Sequence, residues 1–185
     1  MKIQCDCGQF QAEISHFPKN SAGRLACYCD DCQKYLKKLG REDLLDPYGG
    51  TEVIPVYPCD IKFLSGRENL KCNRLSEKGL NRWSTKCCNS PIANVKPFFP
   101  WVGVIHSAYT RKDPQFLENL GPIRSRIMGA YAHGRPPFKI PQKMDLNAIV
   151  SVLPFILKGK FLKKYKDSPF FESDGKTPIV DVTIL

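Results

Sequence analysis

The sequence predicts a mainly β protein with a few helices, an α+β chain in which a cysteine-bearing β core precedes an α/β extension. Three observations carry that reading. Residues 1–96 fall into short alternating or apolar stretches separated by Gly, Pro and Asn. Seven of the nine cysteines form three clusters within that same tract. After it the texture changes: Pro97-Phe98-Phe99-Pro100-Trp101 opens a region with longer apolar stretches and clearer helix caps.

Phe10 to Ile14 alternates apolar with polar side chains, the period of a half-buried strand. Thr51 to Val56, Ile61 to Leu64, Leu70 to Leu75 and Leu80 to Trp83 are further short strands. Asp30 and Asp31 are placed to cap a helix that runs through Cys32, Tyr35, Leu36 and Leu39 and stops near Gly40. Gly49-Gly50 and Ser65-Gly66 read as turns. Beyond residue 96, Val102 to Ile105 is a strand and Pro114 to Leu120 a short helix. Residues 145–157 form another helix, started by Asp145 and ended near Gly159. The turn Asp174-Gly175 leads into a last strand, Ile179 to Leu185. No flexible linker separates 1–96 from 97–185, so the extension is expected to pack on the core as one domain.

Composition narrows the function classes. A chain of 185 residues, 42% hydrophobic and 25% charged, is globular rather than disordered. It is long enough to bury about 70% of its unfolded surface and needs no disulfides to fold. The nine cysteines therefore serve another purpose. No apolar run approaches the ~20 residues of a membrane-spanning helix. The longest, Ala148 to Leu157, is interrupted by Pro154 and bordered by Lys158. Met1-Lys2-Ile3-Gln4-Cys5 lacks the apolar stretch of a secretory leader, which points to a cytoplasmic protein. In a reducing compartment, clustered cysteines read as metal ligands or reactive thiols rather than disulfides. The net charge of +10 favours an anionic partner: a carboxylate-bearing small molecule, a nucleic acid or a membrane surface. The local basic run Lys158, Lys160, Lys163, Lys164 and Lys166 reads as the solvated end of a docked helix rather than a membrane anchor.

The clusters are Cys5-Asp6-Cys7, then Cys27-Tyr28-Cys29-Asp30-Asp31-Cys32, then Cys87-Cys88. Tetrahedral zinc needs sulfurs about 3.8 Å apart, given Zn–S bonds of about 2.3 Å. Cysteines at i and i+2 of a strand share a face, and those at i and i+3 of a helical turn do too. The second cluster can thus bring three thiolates to one ion. The first brings two, and the third completes its set from a distance. Cys59 and Cys72 stand alone in strand patterns and read as inert core cysteines. Two zinc ions per chain are expected.

These motifs resemble the glutathione-dependent formaldehyde-activating enzyme family, which includes the centromere protein V group. The resemblance runs through Cys5-Asp6-Cys7-Gly8, Cys27 to Gln33, Phe63-Leu64-Ser65-Gly66, Arg82-Trp83 and Cys88-Asn89-Ser90-Pro91. It covers roughly residues 3–96. It implies a β-tent of small antiparallel sheets held by zinc. It also implies structural ligands at Cys5, Cys7 and Cys88 and catalytic-zinc ligands at Cys27, Cys29 and Cys32. The sequence departs from the family pattern at Thr85-Lys86-Cys87-Cys88, where the family has Cys-x-x-Cys. Thr85 takes the first cysteine position and Cys87 is extra. Cys87 is the preferred fourth structural ligand. A free thiol, a role at the other metal and a strained vicinal disulfide are its other fates. Ala26 and Tyr28 stand where the family often has histidines, and the stretch from Leu39 to Gly50 reads as an insertion.

A zinc with three thiolates carries a net −1 charge and is a poor activator of water. It is better suited to holding one more thiolate and keeping it nucleophilic. The resemblance implies that this thiol is glutathione, or another low-molecular-weight thiol, adding to an aldehyde in carbon–sulfur lyase-type chemistry. Arg24, Gln33 and Lys34 are the candidate donors to such an anionic co-substrate. The competing reading is a non-catalytic zinc β module that binds nucleic acid or protein. His16, His106 and His133 are isolated and read as structural, and no nucleophile triad or phosphate-binding loop is present.

Overall fold

The computed structural model describes residues 1–19, 21–110 and 113–185. Its smaller sheet contains β1 (Lys2–Gln4), β2 (Gln11–Ile14) and β5 (Ile61–Ser65), all antiparallel, in the order β1-β2-β5. The larger contains β3 (Leu25–Cys27), β4 (Thr51–Val56), β6 (Leu70–Arg74), β7 (Asn81–Thr85), β8 (Pro91–Val95), β9 (Val102–Ile105), β10 (Ser125–Ile127) and β11 (Val182–Ile184). Their order is β10-β3-β4-β9-β8-β7-β6-β11. The helices are α1 (Asp30–Lys38), α2 (His106–Thr110), α3 (Phe116–Asn119) and α4 (Leu146–Phe161). The fold is α+β, as the sequence predicts.

Inside the large sheet every pairing is antiparallel except at the edges. There β10 runs parallel to β3, and β11 parallel to β6. Both edge strands arrive over long connections, which parallel pairing requires. Residues 97–185 also supply β9, which lies mid-sheet between β4 and β8. The boundary drawn at residue 96 is therefore not a seam in the hydrogen bonding. The later residues are paired into the sheet as well as packed on it.

One apolar core serves both sheets. Trp83 on β7 is fully buried with its ring 5.1 Å from that of Phe170. Phe63 on β5 meets Phe170 at 5.1 Å and Phe10 at 5.3 Å, both edge-on, which joins the small sheet to the large. All five residues of β7 and of β8 are buried. With both faces covered, these strands have no alternation to show. That is why β8 escapes sequence reading and β7 is seen only in part. Pro55 is tolerated within β4 because its carbonyl faces Ala22 and Ser21, away from β9. Its missing N–H therefore breaks no bond of the β4–β9 ladder.

α4 begins where Asp145 accepts a hydrogen bond from the Ala148 N–H at 2.9 Å. It runs on through Pro154 to Phe161, past the end expected at residue 157. Proline deprives the Val150 carbonyl of its intrahelical donor. Val150 is 62% exposed, so the interruption falls on the solvent side of the helix. The inner face of α4 docks closely. Tyr57 stacks on Phe155 at 4.1 Å and donates its hydroxyl to the Phe155 carbonyl. Among the described residues no helix is long and apolar enough to cross a membrane.

Gly159 marks the tightest contact of α4. A Cβ there would lie 2.6 Å from both the Tyr57 ring and Pro100. Gly159→Ala gains helix propensity of up to about 1 kcal/mol. The overlap costs about 1–3 kcal/mol, so the variant is expected to be the less stable protein in urea denaturation. A stabilised variant would mean α4 is not docked as described.

Candidate metal centres

The first centre joins two turns. In the β1–β2 connection, Gly8 takes φ +76°, and the N–H groups of Gly8 and Cys5 donate to the carbonyls of Cys5 and Phe10. That hairpin-like loop presents Cys5 and Cys7 on one side. The β7–β8 turn is closed by Thr85 N–H to Ser90 O and Asn89 N–H to Thr85 O, both at 3.1 Å, with Asn89 left-handed at φ 52°. Adjacent side chains in a turn need not oppose each other as they do in a strand. Cys87 and Cys88 therefore face one point. The sulfur separations are 3.6 Å for Cys5–Cys7, 3.9 Å for Cys5–Cys87, 3.3 Å for Cys7–Cys87 and 3.7 Å for Cys87–Cys88. They cluster near the ~3.8 Å edge of a tetrahedral zinc–sulfur site. All four sulfurs lie within 4.8 Å of one another, so the group can hold a metal ion.

Neighbouring groups orient these ligands. The Phe10 N–H donates to Cys5 Sγ at 3.2 Å. Ser90 Oγ lies 3.2 Å from Cys88 Sγ and accepts the Asp6 N–H at 2.8 Å. Thr85 Oγ1 stands 3.4 Å from Cys88 Sγ and accepts from the Ser90 N–H. Thr85 thus supports Cys88 through a hydrogen-bonding contact and is not itself one of the four sulfur ligands. Arg41, just after α1, pairs with Asp6 at 2.9 Å. In the metal-free chain, burial and the hydrogen bond with Cys7 push Cys87 up to about 12. Burial also raises Cys5. Burial works the same way on Cys88, but hydrogen bonds with Ser90 and Thr85 outweigh it and hold that thiol near 5.

The second centre sits where β3 meets α1. Cys27 ends the strand, and Cys29 caps the helix, its Sγ accepting the Cys32 N–H at 3.3 Å. This corrects the caps expected at Asp30 and Asp31. Cys29 holds the extended cap conformation, while the two aspartates occupy the first helical turn and complement its dipole. Cys27, Cys29 and Cys32 lie within 4.8 Å of one another and can hold a second ion. Hydrogen bonds from Cys27 and Cys29, with help from Arg82, pull the Cys32 thiol well below its ordinary value. Residues 46–50 brace this centre. Asp46 accepts the Tyr28 hydroxyl at 2.8 Å and the N–H groups of Tyr48 and Gly50. A Cβ at Gly50 would meet the Tyr28 ring at 2.5 Å, so the Gly49-Gly50 turn needs its glycine there.

A cavity of about 340 Å³ opens beside the three cysteines. Leu25 and Val53 wall it from β3 and β4, Trp101 from the position before β9, Ile127 from β10, and Ala148 and Val152 from α4. Arg82, Asn94 and Ser125 provide its buried polar groups. The Arg82 guanidinium lies 3.9 Å from Cys32 Sγ, 3.5 Å from Asn94 Oδ1 and 3.8 Å from the carboxylate of Asp31. Arg82 entered the sequence reading only beside Trp83, and nothing in a strand of mixed polarity marks its side chain as cavity-facing.

The three expected co-substrate donors are engaged elsewhere and do not line this cavity. Arg24 makes a two-pronged pair with Glu52 and donates to the carbonyls of Leu117 and Gly121. Gln33 bridges the carbonyls of Tyr28 and Tyr131. Lys34 pairs with Asp30 at 2.6 Å on the exposed face of α1. Cys59 and Cys72 stand in neither cluster. His106 sits 3.3 Å from the Glu52 carbonyl, and the exposed His16 ring is 3.8 Å from Asp60.

Elemental analysis of zinc-loaded protein is expected to find two ions per chain, and one in both Cys29→Ala and Cys88→Ala. Thermal unfolding should drop further for Cys88→Ala, because that ligand ties two distant turns together. Zinc uptake at neutral pH should expel the protons of Cys5 and Cys87, while Cys88 is already ionised. Uptake therefore weakens as pH falls. Calorimetry in buffers of different ionisation enthalpy measures this. Proton-free uptake would contradict the raised thiols.

No curated protein matches the chain. One similar solved structure is the crystal structure of a Rhodobacter sphaeroides protein from structural genomics. It is 19% identical, covers 66% of this chain and 97% of its own, and superposes with a TM-score of 0.47. A family model described as a family of unknown function, DUF6151, matches residues 1–183, and the chain belongs to that family.

Proposed function

We propose that this chain is a zinc protein whose three-cysteine centre carries carbon–sulfur lyase-type chemistry, adding a low-molecular-weight thiol to an aldehyde and reversing that addition. One observation carries the reading. Cys27, Cys29 and Cys32 converge beside the cavity, and no fourth Cys, His, Asp or Glu among the described residues completes their group. A closed four-thiolate site is structural, whereas a three-donor site leaves a position for substrate. Zinc held there supplies a place where a thiol gives up its proton and remains a nucleophile.

The chain's own residues account for the rest. As sulfur attacks, the C–S bond forms and the carbonyl π pair moves to oxygen, which takes the proton the thiol lost. Arg82 is a buried cation on the cavity wall, suited to the negative charge that gathers on that oxygen. The apolar walls around it lower the local polarity and so strengthen that interaction. The resemblance of the Cys5–Gly8, Cys27–Gln33 and Cys88–Pro91 stretches to the glutathione-dependent formaldehyde-activating enzymes supports the reaction type. A reducing compartment, where free thiols persist, suits it as well.

NMR exchange spectroscopy of a thiol–aldehyde mixture at equilibrium tests the proposal. Zinc-loaded wild type should accelerate interconversion with the S-hydroxyalkyl adduct, and Cys29→Ala should lose at least about 100-fold of that acceleration. An equal rate in the variant would overturn the proposal.

A further inference from the structure

We infer that the three-cysteine centre serves a substrate with an apolar body, an aliphatic or aromatic thiol or aldehyde, rather than a hydrophilic charged tripeptide; this deepens the reading above and rests on it. The argument begins with size. A cavity of 340 Å³ holds about eleven waters at ~30 Å³ each. Formaldehyde occupies little more than one such volume, so the space is built for a larger group.

Chemistry decides what that group is. Leu25, Val53, Leu80, Trp101, Ile127 and Val152 dominate the lining. Gly103 leaves room for the Trp101 ring, since a Cβ there would meet the indole nitrogen at 3.2 Å. Glutathione brings two carboxylates and an ammonium. Against them the cavity offers one buried cation, Arg82, already facing Cys32 and Asn94. The carboxylate of Asp31 is 67% exposed and turned to Arg82. Desolvating charges against such walls without partners is unfavourable, whereas each buried methylene gains affinity. The basic side chains expected to receive a charged thiol, Arg24 and Lys34, are held by Glu52 and Asp30 outside the cavity. Met144, Ala148 and Val152, from a region where the sequence shows no ligand motif, form its outer wall.

The test follows binding rather than turnover. Zinc-loaded full-length protein is titrated with 1-alkanethiols from ethanethiol to octanethiol, with the matching 1-alkanols, and with glutathione. Quenching of Trp101 is read against a Trp101→Phe control. Affinity should rise about fourfold per methylene until the cavity fills. Glutathione should bind at least tenfold more weakly than hexanethiol. Ala148→Phe, which fills the space, should flatten the series while both zinc ions remain. Val152→Ala, which enlarges it, should move the plateau to a longer chain. A flat series in wild type, or glutathione binding as well as hexanethiol, overturns the inference. The alkanols separate the two proposals. If they reproduce the slope and thiols gain nothing over them, the apolar cavity stands and the thiol-holding role of the metal falls. If thiols bind tightly without any slope, the reverse holds.

Discussion

Four sulfur atoms on two turns meet at one point, and the rest of the architecture is arranged around that convergence. Cys7 and Cys87 are 80 residues apart in the chain and 3.3 Å apart in space. Four sulfurs this close form a group that can hold one metal ion. The turn bearing Cys5 and Cys7 belongs to a sheet of three short strands, which on its own is a marginal structure. An ion held there would tie that turn to the β7–β8 hairpin and so fix the small sheet against the large one beside the Phe10–Phe63–Phe170 contacts. The second centre then inherits a rigid floor, because Arg82 sits on the same β7 that carries the hairpin.

The two centres differ in how their neighbours treat charge. Around the first, hydroxyls and backbone N–H groups point at sulfur, the surroundings of a site made to stay closed. Around the second, a guanidinium stands on one side and apolar walls on the other. An anion is thus stabilised there without being sealed off. Cys32, the most buried of its three cysteines, lies nearest that cation, which favours negative charge at the inner end of the cavity.

Much of the fold and of both cysteine groups was legible from the residues. Thr51–Val56 and Val102–Ile105 emerged with their full lengths because apolar runs bounded by turn residues leave little choice. Cysteine grouping survived for a similar reason, since few other arrangements suit thiols at those spacings. Other features were hidden by physics rather than oversight. Strands β3 and β10 are only three residues each, too short for any period to register. The buried β7 and β8 do not alternate. Arg24, Gln33 and Lys34 stand near the cysteines in sequence, yet each finds a closer partner, because proximity along the chain says little about where a long side chain ends. The cavity was illegible altogether, since five of its sixteen lining residues come from β10 and the α4 region, which reach the cysteines through a parallel pairing across a hundred positions.

That parallel pairing has an evolutionary reading. Ile127 lies opposite Cys27 in the ladder, and Ser125 and Ile127 line the cavity while the intervening Arg126 sends its guanidinium over Phe138 at 4.1 Å. A strand has a two-residue repeat, so inserting or deleting one residue ahead of β10 would present arginine to the cavity and turn isoleucine away. The sulfur cluster would be untouched. Selectivity in such a protein can therefore diverge between descendants through a single indel, leaving every metal ligand in place.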